Sequence, residues 1–568
     1  MTDRDLPASR VRSGLVRTWI LLSLPALAIA LAAGAFQIDA PGLYYDEAIQ
    51  AGPARDFLDG RAAGVHASDL HTREFAGRPF PWRTAVYMGA LKSQLLIPSF
   101  ALFGSSVEVL RRTTLVWGLI GLVLAIRFAQ SWFGPGAAVL TGLLLALDAS
   151  FVFVSRHDWG SFAASLALRS AALVLVTAGW RRQRAGLLLL GGLALGLGFY
   201  NKVDFATFLV GSAAAALLVG GWPLLRSLAA QRRALGALAI GSALGALPIA
   251  TSVLAALRGI AVIKDRSPIA MKQEAFAAML DGSYFARLVE AGGRLDHVGA
   301  VGGVPASLFP IALALAAAAA LGLALAGPPR PAQARAEPAG ALAFVWIAGA
   351  LTALLVFALP GAGSVHHALN VYPYPHLAVA ATAAVGWRRA GRVRHGRWLR
   401  GLLALALALL FASQARTLWA THQTIERSGG KGWWSDALAP VIADAARRGD
   451  VLVSLDWGFH EQALFLGGGT PRALEPFWDA SRRRARRQIW QFEGGPEHLY
   501  LLHERDFDLF HFGPGLLTAL RLLPDDAVRI DRHRDRDGDV AFLTVRILQP
   551  HRIRDDGRLR IELLPDRS

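Results

Sequence analysis

The pair Asp46-Glu47, in the run Leu43-Tyr44-Tyr45-Asp46-Glu47-Ala48, sets two carboxylates side by side about ten residues after the first long apolar segment of the chain. A charged group beside hydrocarbon loses hydration, so such residues tend to be paired or functional. Two like charges on neighbouring residues also raise each other's proton affinity and titrate as a unit. Other polar clusters recur at the ends of apolar runs: Arg156-His157-Asp158, Lys202 with Asp204, and His366-His367 with Asn370 and Tyr372. Lys92 interrupts an apolar stretch. Each also has a plain structural reading. Arg156 with Asp158 can anchor a helix end at the membrane interface, Lys202 with Asp204 can form a mutual ion pair, and Lys92 can snorkel to head groups.

The scaffold that must position these residues is largely membrane. Of 568 residues 54% are hydrophobic and the mean hydropathy is +0.38, above an ordinary soluble composition. No cysteine is present, which excludes disulfides, thiolate metal sites and thiol redox chemistry. A net charge of +17 would by itself point to nucleic acid, but its distribution does not. From residue 415 onward 23 Lys and Arg balance 23 Asp and Glu, whereas the preceding part holds 36 basic against 19 acidic residues. A basic membrane half is what the positive-inside bias produces, so the charge reports topology and no nucleic-acid partner.

Crossing a hydrocarbon core of about 30 Å takes about 20 helical residues. Runs of that kind lie near 16–36, 110–130, 136–154, 158–180, 186–201, 204–225, 235–257, 304–326, 341–360, 374–390 and 398–414, eleven in all. The first, Trp19 to Phe36, follows Arg10, Arg12 and Arg17; its 18-residue core is long for a cleaved leader and reads as a span. The stretch 85–103 carries Lys92, Ser93 and Gln94 at its middle, which a lipid-exposed spanning helix tolerates poorly. Arginine clusters at 181–184, 226–233 and 388–400 mark cytoplasmic loops. Counting from them puts residues 155–158 outside, and Asp46 joins them only if 85–103 does not cross. That stretch is therefore expected to be an outer juxtamembrane or re-entrant helix. The outer face then collects 37–109, 155–158, 200–204, 258–303 and 364–374.

Beyond residue 414 the composition becomes balanced and charged over roughly 150 residues, enough for a core of its own. A helix from Ser435 to Arg448, a strand Val451–Leu455 and further strands near Leu499–Leu502 and Val540–Ile547 predict a soluble α/β domain at 415–568, on the outer side, joined to a membrane domain at 1–414. Trp433-Trp434 is expected at the membrane interface, where aromatic rings are favoured. Asp456, Trp457 and His460 follow the best strand and would suit a sugar. The run Arg482-Arg483-Arg484 with Arg486-Arg487 is a solvated face or a dock for acidic lipid.

This order of features resembles the GT-C membrane glycosyltransferases, and within them the superfamily of protein O-mannosyltransferases and the bacterial aminoarabinose transferase of lipid A. The residues that carry the likeness are Tyr45-Asp46-Glu47-Ala48, Leu147-Asp148-Ala149-Ser150 through Ser155-Arg156-His157-Asp158, Gly196-Leu197-Gly198-Phe199-Tyr200-Asn201-Lys202, and the stretch from Phe103-Gly104 to Arg111-Arg112. It covers about residues 10–410. Two departures stand out. Pro79-Phe80-Pro81-Trp82 replaces the family's frequent proline pair before the outer helix, and His366 through Pro373 replaces an arginine-tyrosine pair before prolines. The C-terminal domain has no counterpart in the resemblance.

The resemblance implies a mainly α, polytopic fold and transfer of a sugar from a polyprenyl-phosphate donor to a hydroxyl or amine acceptor on the outer face of a bacterial plasma membrane. In that reading Asp46 is the base that takes the acceptor proton, with Glu47 as its coupled neighbour. Arg156, His157 and Asp158 orient Asp46 or the phosphate, since a guanidinium matches phosphate oxygens bidentately. Lys202, beside Asp204, neutralises the departing phosphate, with Lys92 as a rival for that task. His366, His367, Asn370 and Tyr372 recognise a polar head group. A divalent ion is compatible with the chemistry, but no cofactor is assigned: adjacent histidines rarely point the same way, and no acid nearby completes a familiar ligand set. His66, Asp69, His71 and Glu74 form an equally weak second cluster. The rival reading, a transporter or flippase for a lipid-linked glycan, would favour internal repeats and mid-membrane charges, and neither stands out.

Overall fold

The computed structural model describes residues 8–61, 70–251, 267–325, 339–360, 365–468, 472–476, 490–493, 497–510, 513–521, 524–548 and 558–561. Its membrane part is mainly helical: α1 (Ala8–Ala35), α2 (Tyr45–Asp59), α3 (Leu91–Phe103), α4 (Val107–Phe133), α5 (Pro135–Ala146), α6 (Ala149–Arg156), α7 (Phe162–Arg182), α8 (Ala185–Asn201), α9 (Ala206–Ala230) and α10 (Arg232–Ala246). There follow α11 (Ile269–Asp281), α12 (Tyr284–Glu290), α13 (Phe309–Leu325), α14 (Ala339–Ala358), the single turn α15 (Val365–Ala368), α16 (Tyr374–Ala390) and α17 (Gly396–Ser428). Over the described residues each of the expected apolar runs is largely helical, with a break at 147–148 and non-helical starts at 158–161 and 304–308. Among the described residues, five helices are long and apolar enough to cross a membrane, and six if α5 and α6, bent by 64°, count as one broken span. The other expected spans fall below that measure, α8 and α13 among them as shorter apolar helices. The protein is integral to a membrane and mainly α-helical.

The stretch 85–103 departs from expectation. It is not one helix: residues 71–89 form a small antiparallel sheet, β1 (His71–Phe75), β2 (Arg78–Ala85) and β3 (Met88–Gly89), in that order. The chain turns into α3 only at Leu91. The turn is fixed by close contact with the end of α8: a Cβ on Gly89 would lie 2.3 Å from the Tyr200 ring, and the Tyr200 hydroxyl donates to the Trp82 carbonyl at 2.6 Å. In the 13-residue α3, Lys92 and Ser93 are buried, while Leu102 and Phe103 at the far end are 75% and 74% exposed. Of the weak histidine-acid cluster, His66 and Asp69 lie outside the described residues.

What aims α8, and with it Asn201 and Lys202, is a glycine seam. Gly192 and Gly196 on α8 face Gly241 and Gly245 on α10 so closely that a Cβ on Gly192 would sit 2.1 Å from the Leu238 carbonyl oxygen, and one on Gly241 2.1 Å from that of Leu189. Small residues four apart let helix backbones touch where lipid supplies no hydrophobic drive between them.

α17 passes through residue 414 without interruption and ends at Gly429, which adopts a positive φ of 64°. Beyond it lie α18 (Leu438–Arg448), β4 (Val451–Ser454), α19 (His460–Leu466), β5 (Arg472–Leu474), β6 (Trp490–Glu493), β7 (His498–His503), α20 (Gly513–Leu520), β8 (Val528–Arg534), β9 (Val540–Ile547) and β10 (Arg558–Ile561). The sheet order is β5-β4-β7-β9-β8, with β4 parallel to both neighbours and β9 antiparallel to both of its own. This is the expected α/β domain.

Trp433-Trp434 does not rest at a lipid interface. Trp434 is fully buried, with its ring 4.6 Å from Tyr44 and 5.1 Å from Phe285. The pair fills the joint between the two domains because an aromatic surface that large is buried more favourably in protein than half-wetted. The arginine run at 482–487 lies outside the described residues.

Gly241→Val should force α8 and α10 apart and lower the thermal unfolding temperature in detergent, on the scale of about 1–3 kcal/mol for overpacking. Gly236→Val on the same helix meets open space and should leave it unchanged; equal behaviour of the two would contradict the seam.

Candidate active site

Asp46 and Glu47 begin α2, in its first turn, where unpaired backbone N–H groups favour ionised carboxylates. Their surroundings then separate them. Glu47 is fully buried, accepts the Tyr44 backbone N–H at 3.1 Å, and is gripped by Arg111: Nε reaches Oε1 and Nη2 reaches Oε2, both at 3.0 Å. Arg111, itself fully buried, also donates to the carbonyls of Ile38, Pro41 and Gly42 at 3.1, 2.8 and 2.9 Å. Asp46 is only partly buried. The expected coupled pair of acids thus has one member committed to an ion pair.

One turn further along α2, on the face that Asp46 shares, Gln50 binds the turn after α6. Its Nε2 donates to the Trp159 carbonyl at 3.1 Å, its Oε1 accepts from Ser161 Oγ at 2.6 Å, and its carbonyl accepts from Ser93 Oγ at 2.7 Å. Ser161 holds φ at 54°, in the left-handed region. A non-glycine residue held there costs of order 1–3 kcal/mol and persists only where its neighbours over-determine it. Asn201 completes the link, donating to the Ser161 carbonyl at 3.0 Å and to Ser165 Oγ at 2.9 Å.

Arg156, His157 and Asp158 all lie in this region, in different roles. The Arg156 guanidinium is buried and committed to backbone: it donates to the carbonyls of Gly34, Phe36 and Ala40, and its Nε to His157 Nε2 at 2.7 Å. Burial, with Arg111 and Arg156 beside it, holds the His157 imidazole well below its usual proton affinity, so it stays neutral and accepts that bond. Asp158 accepts the Phe162 backbone N–H and lies 3.8 Å from Lys92 Nζ, which also donates to the Asp158 carbonyl. Burial lowers the proton affinity of Lys92, while Asp158, Glu47 and Asp46 oppose the shift. Lys92 is thus the buried cation that shares a field with Asp46.

A second group forms around Asp204. Lys202 Nζ lies 3.4 Å from Asp204 Oδ2, His367 Nδ1 lies 3.0 Å from the same oxygen, and the Asn370 side chain bonds Asp204 as well. The His366 ring lies 4.1 Å from that of His367, tilted by 44°, and accepts Trp159 Nε1–H at 3.2 Å. The outer residues expected after α8 and before α16 therefore do meet, and Trp159 joins them to the turn that Gln50 holds. Tyr372 does not join: its hydroxyl donates to Asp148 Oδ2, which also lies 3.0 Å from His376 Nε2. Among the described residues no three His, Asp or Glu side chains gather as a metal site.

Residues of the C-terminal domain close over α2. Asp456, expected to be a sugar ligand, is instead an internal tie, accepting from the Leu509 and Phe510 backbone N–H groups at 3.1–3.2 Å and lying 2.8 Å from His503 Nδ1. Trp457 packs on Tyr45 with ring centroids 4.5 Å apart.

With this geometry in view, residues 94–245 match the family model described as dolichyl-phosphate-mannose-protein mannosyltransferase. The crystal structure of ArnT from Cupriavidus metallidurans bound to undecaprenyl phosphate is similar at 16% identity and a TM-score of 0.50, covering 92% of this chain and 97% of that one. In fold the chain is thus similar to this structure along nearly its whole length. Also similar in outline are the Archaeoglobus fulgidus oligosaccharyltransferase in complex with zinc and sulfate (12% identity, TM-score 0.44, 80% of this chain and 62% of that one) and the arabinosyltransferase EmbB of Mycobacterium smegmatis (15%, 0.37, 75% and 41%). No curated protein matches by sequence. Coverage of 92% exceeds what the membrane part alone supplies. The fold likeness therefore runs into the C-terminal domain, for which the sequence resemblance offered no counterpart.

Sequence reasoning missed the roles of Arg111, Gln50, Ser161 and Asn201. Arg111-Arg112 carried a usable signal, since two arginines at the mouth of an apolar helix cannot both face lipid: Arg112 is exposed and pairs with Glu108, and Arg111 turns in.

Arg111→Ala would leave the Glu47 carboxylate buried and unpaired and the carbonyls of residues 38–42 without their donor. Removing one partner of a buried pair costs about 3–5 kcal/mol. A large fall in unfolding temperature is expected, partly relieved in Arg111→Met/Glu47→Gln; a variant as stable as the native protein would contradict this assignment.

Proposed function

We propose that this chain is a GT-C membrane glycosyltransferase that moves a sugar from a polyprenyl-phosphate donor to an acceptor on the extracytoplasmic face. The observation that carries the reading is the placing of the two acids: Glu47 is buried against Arg111, while Asp46 beside it is partly exposed and within electrostatic reach of Lys92. The GT-C fold and the mannosyltransferase match support the reaction class, and the undecaprenyl phosphate bound to ArnT supports the donor class by analogy.

In the proposed step an acceptor oxygen or nitrogen attacks the anomeric carbon from the face opposite the phosphate. The bond from that carbon to the phosphate oxygen breaks, polyprenyl phosphate leaves with the electron pair, and the acceptor proton passes to the Asp46 carboxylate. Lys92 and Lys202 are the proposed cations for the leaving phosphate. Arg156 is not assigned that part, since its donors already serve backbone carbonyls. His366, His367 and Asn370 remain the proposed contacts for a polar head group.

The test uses the full chain in lipid nanodiscs with radiolabelled undecaprenyl-phosphate mannose and, separately, undecaprenyl-phosphate aminoarabinose, and the hydroxyl- and amine-bearing components of a bacterial envelope extract as acceptors. Asp46→Asn should lower kcat by about 10²–10⁴-fold, the usual contribution of a positioned base, with the protein still folded. Turnover equal to the native chain would remove Asp46 as base. Lipid-linked sugar crossing the bilayer with no transfer would favour the flippase instead.

A further inference from the structure

The sequence leaves the C-terminal domain without a task, and the residues of its contact with α2 assign one. The contacts tie the domain to the start and to the far end of that helix. At its start, the Leu43 carbonyl accepts from Gln462 Nε2 at 3.3 Å, and the Tyr45 hydroxyl donates to Glu475 Oε1 at 2.9 Å. At its far end, Arg55 Nη1 donates to the carbonyls of Leu464 and Phe465 at 2.7 and 2.9 Å. Those carbonyls close α19, whose last turn has unpaired acceptors that a guanidinium satisfies. Residues 45 and 55 are about 15 Å apart along a helix, so the domain grips α2 over most of its length.

The side of the same helix opposite Tyr45 is held by Arg111 through Glu47, and by Gln50 through Ser161. Around the helix Asp46 lies between Tyr45 and these contacts, about 100° from Tyr45. A carboxylate rides about 5–6 Å from a helix axis, so a rotation of about 10° moves it by about 1 Å. A misplacement of that size can cost about a hundredfold in rate.

We propose that the C-terminal domain is the second jaw of a clamp that sets the rotation of α2 and so the aim of Asp46, with Tyr45 and Glu475 as its positioning pair. The proposal rests on the glycosyltransferase reading for its kinetic part and on geometry alone for its structural part. Tyr45 suits the role because it adjoins Asp46 in the chain, is 3% exposed, and packs its ring on Trp457. Its phenol is driven well above its usual pKa by burial and by Glu461 and Glu475, so it stays a donor at any working pH.

The test compares the full-length protein with Tyr45→Phe, Glu475→Ala and Glu475→Gln in nanodiscs, by donor kinetics, thermal unfolding and amide hydrogen exchange over residues 46–59. Tyr45→Phe and Glu475→Ala should each lower kcat about tenfold with KM for the undecaprenyl-phosphate sugar unchanged, the unfolding temperature within about 2 °C of native, and exchange along α2 faster. Glu475→Gln keeps an oxygen that accepts the phenol proton and should restore both kcat and protection. Native kcat and native protection in Tyr45→Phe would overturn the clamp, as would a fall in Glu475→Gln equal to that in Glu475→Ala. If the native protein transfers neither sugar, the reaction assignment fails by itself, and the exchange result alone decides the clamp.

Discussion

The grip of Arg111 on Glu47 is the interaction on which the site depends. A carboxylate and a guanidinium, both fully buried, are tolerable in a membrane bundle only because each hydrogen-bonding group has a partner: two oxygens meet two nitrogens, and the remaining donors meet carbonyls of the preceding loop. The pair therefore does more than join α2 to α4. It folds the loop from 38 to 42 around itself and fixes where α2 begins, which in turn fixes where Asp46 emerges. Arg156 repeats the device one layer away, gathering the carbonyls of 34, 36 and 40. Two arginines thus replace the water that an irregular loop at the mouth of a membrane bundle would otherwise need for its backbone.

The division of labour among charged residues follows from this. Side chains whose donors go mainly to backbone carbonyls, such as Arg156, build the scaffold. Those paired to one carboxylate at longer distance, such as Lys92 with Asp158 and Lys202 with Asp204, are held less rigidly. An ammonium on a flexible stem can exchange one partner for another with little reorganisation, whereas a guanidinium in a fixed fork gives up several bonds at once.

Much of the scaffold was legible in the sequence, because runs of apolar residues near helical length have few alternative fates. The placement of Asp46, Asp158, Lys202 and His366 on one face followed from loop charge alone, and the contacts of Trp159 and Asn201 join their elements. The strand Val451–Ser454 and its successors were visible as short apolar runs between turns. The failures share one cause. Trp433-Trp434, Asp456 and Arg156 were read from local chemistry, which is ambiguous between lipid, ligand and protein as partner, and in each case a segment distant in the chain supplied the partner. Strands β1 to β3 were missed for a related reason: a hairpin packed on Tyr200 has no apolar period to announce it. The glycine seam between α8 and α10 left a trace, paired glycines four apart, but its meaning depends on which two helices meet.

Arg169 adds a consequence of timing. It is fully buried in α7, and its Nη1 donates to the carbonyls of Leu369, Asn370 and Tyr372 at 3.0, 2.6 and 3.1 Å. Arg111 and Arg156 find their carbonyls on loops that precede them in the chain, so those charges are satisfied as soon as their own helices are made. Arg169 looks forward by about 200 residues. A newly made α7 therefore enters the bilayer carrying a guanidinium whose partners have yet to be synthesised, at a cost of about 2.5–3.5 kcal/mol near the centre of a lone helix. The segment that carries His366 and His367 thus ends in the carbonyls that Arg169 waits for, and the tie between α7 and residues 369–372 forms only once that segment is made.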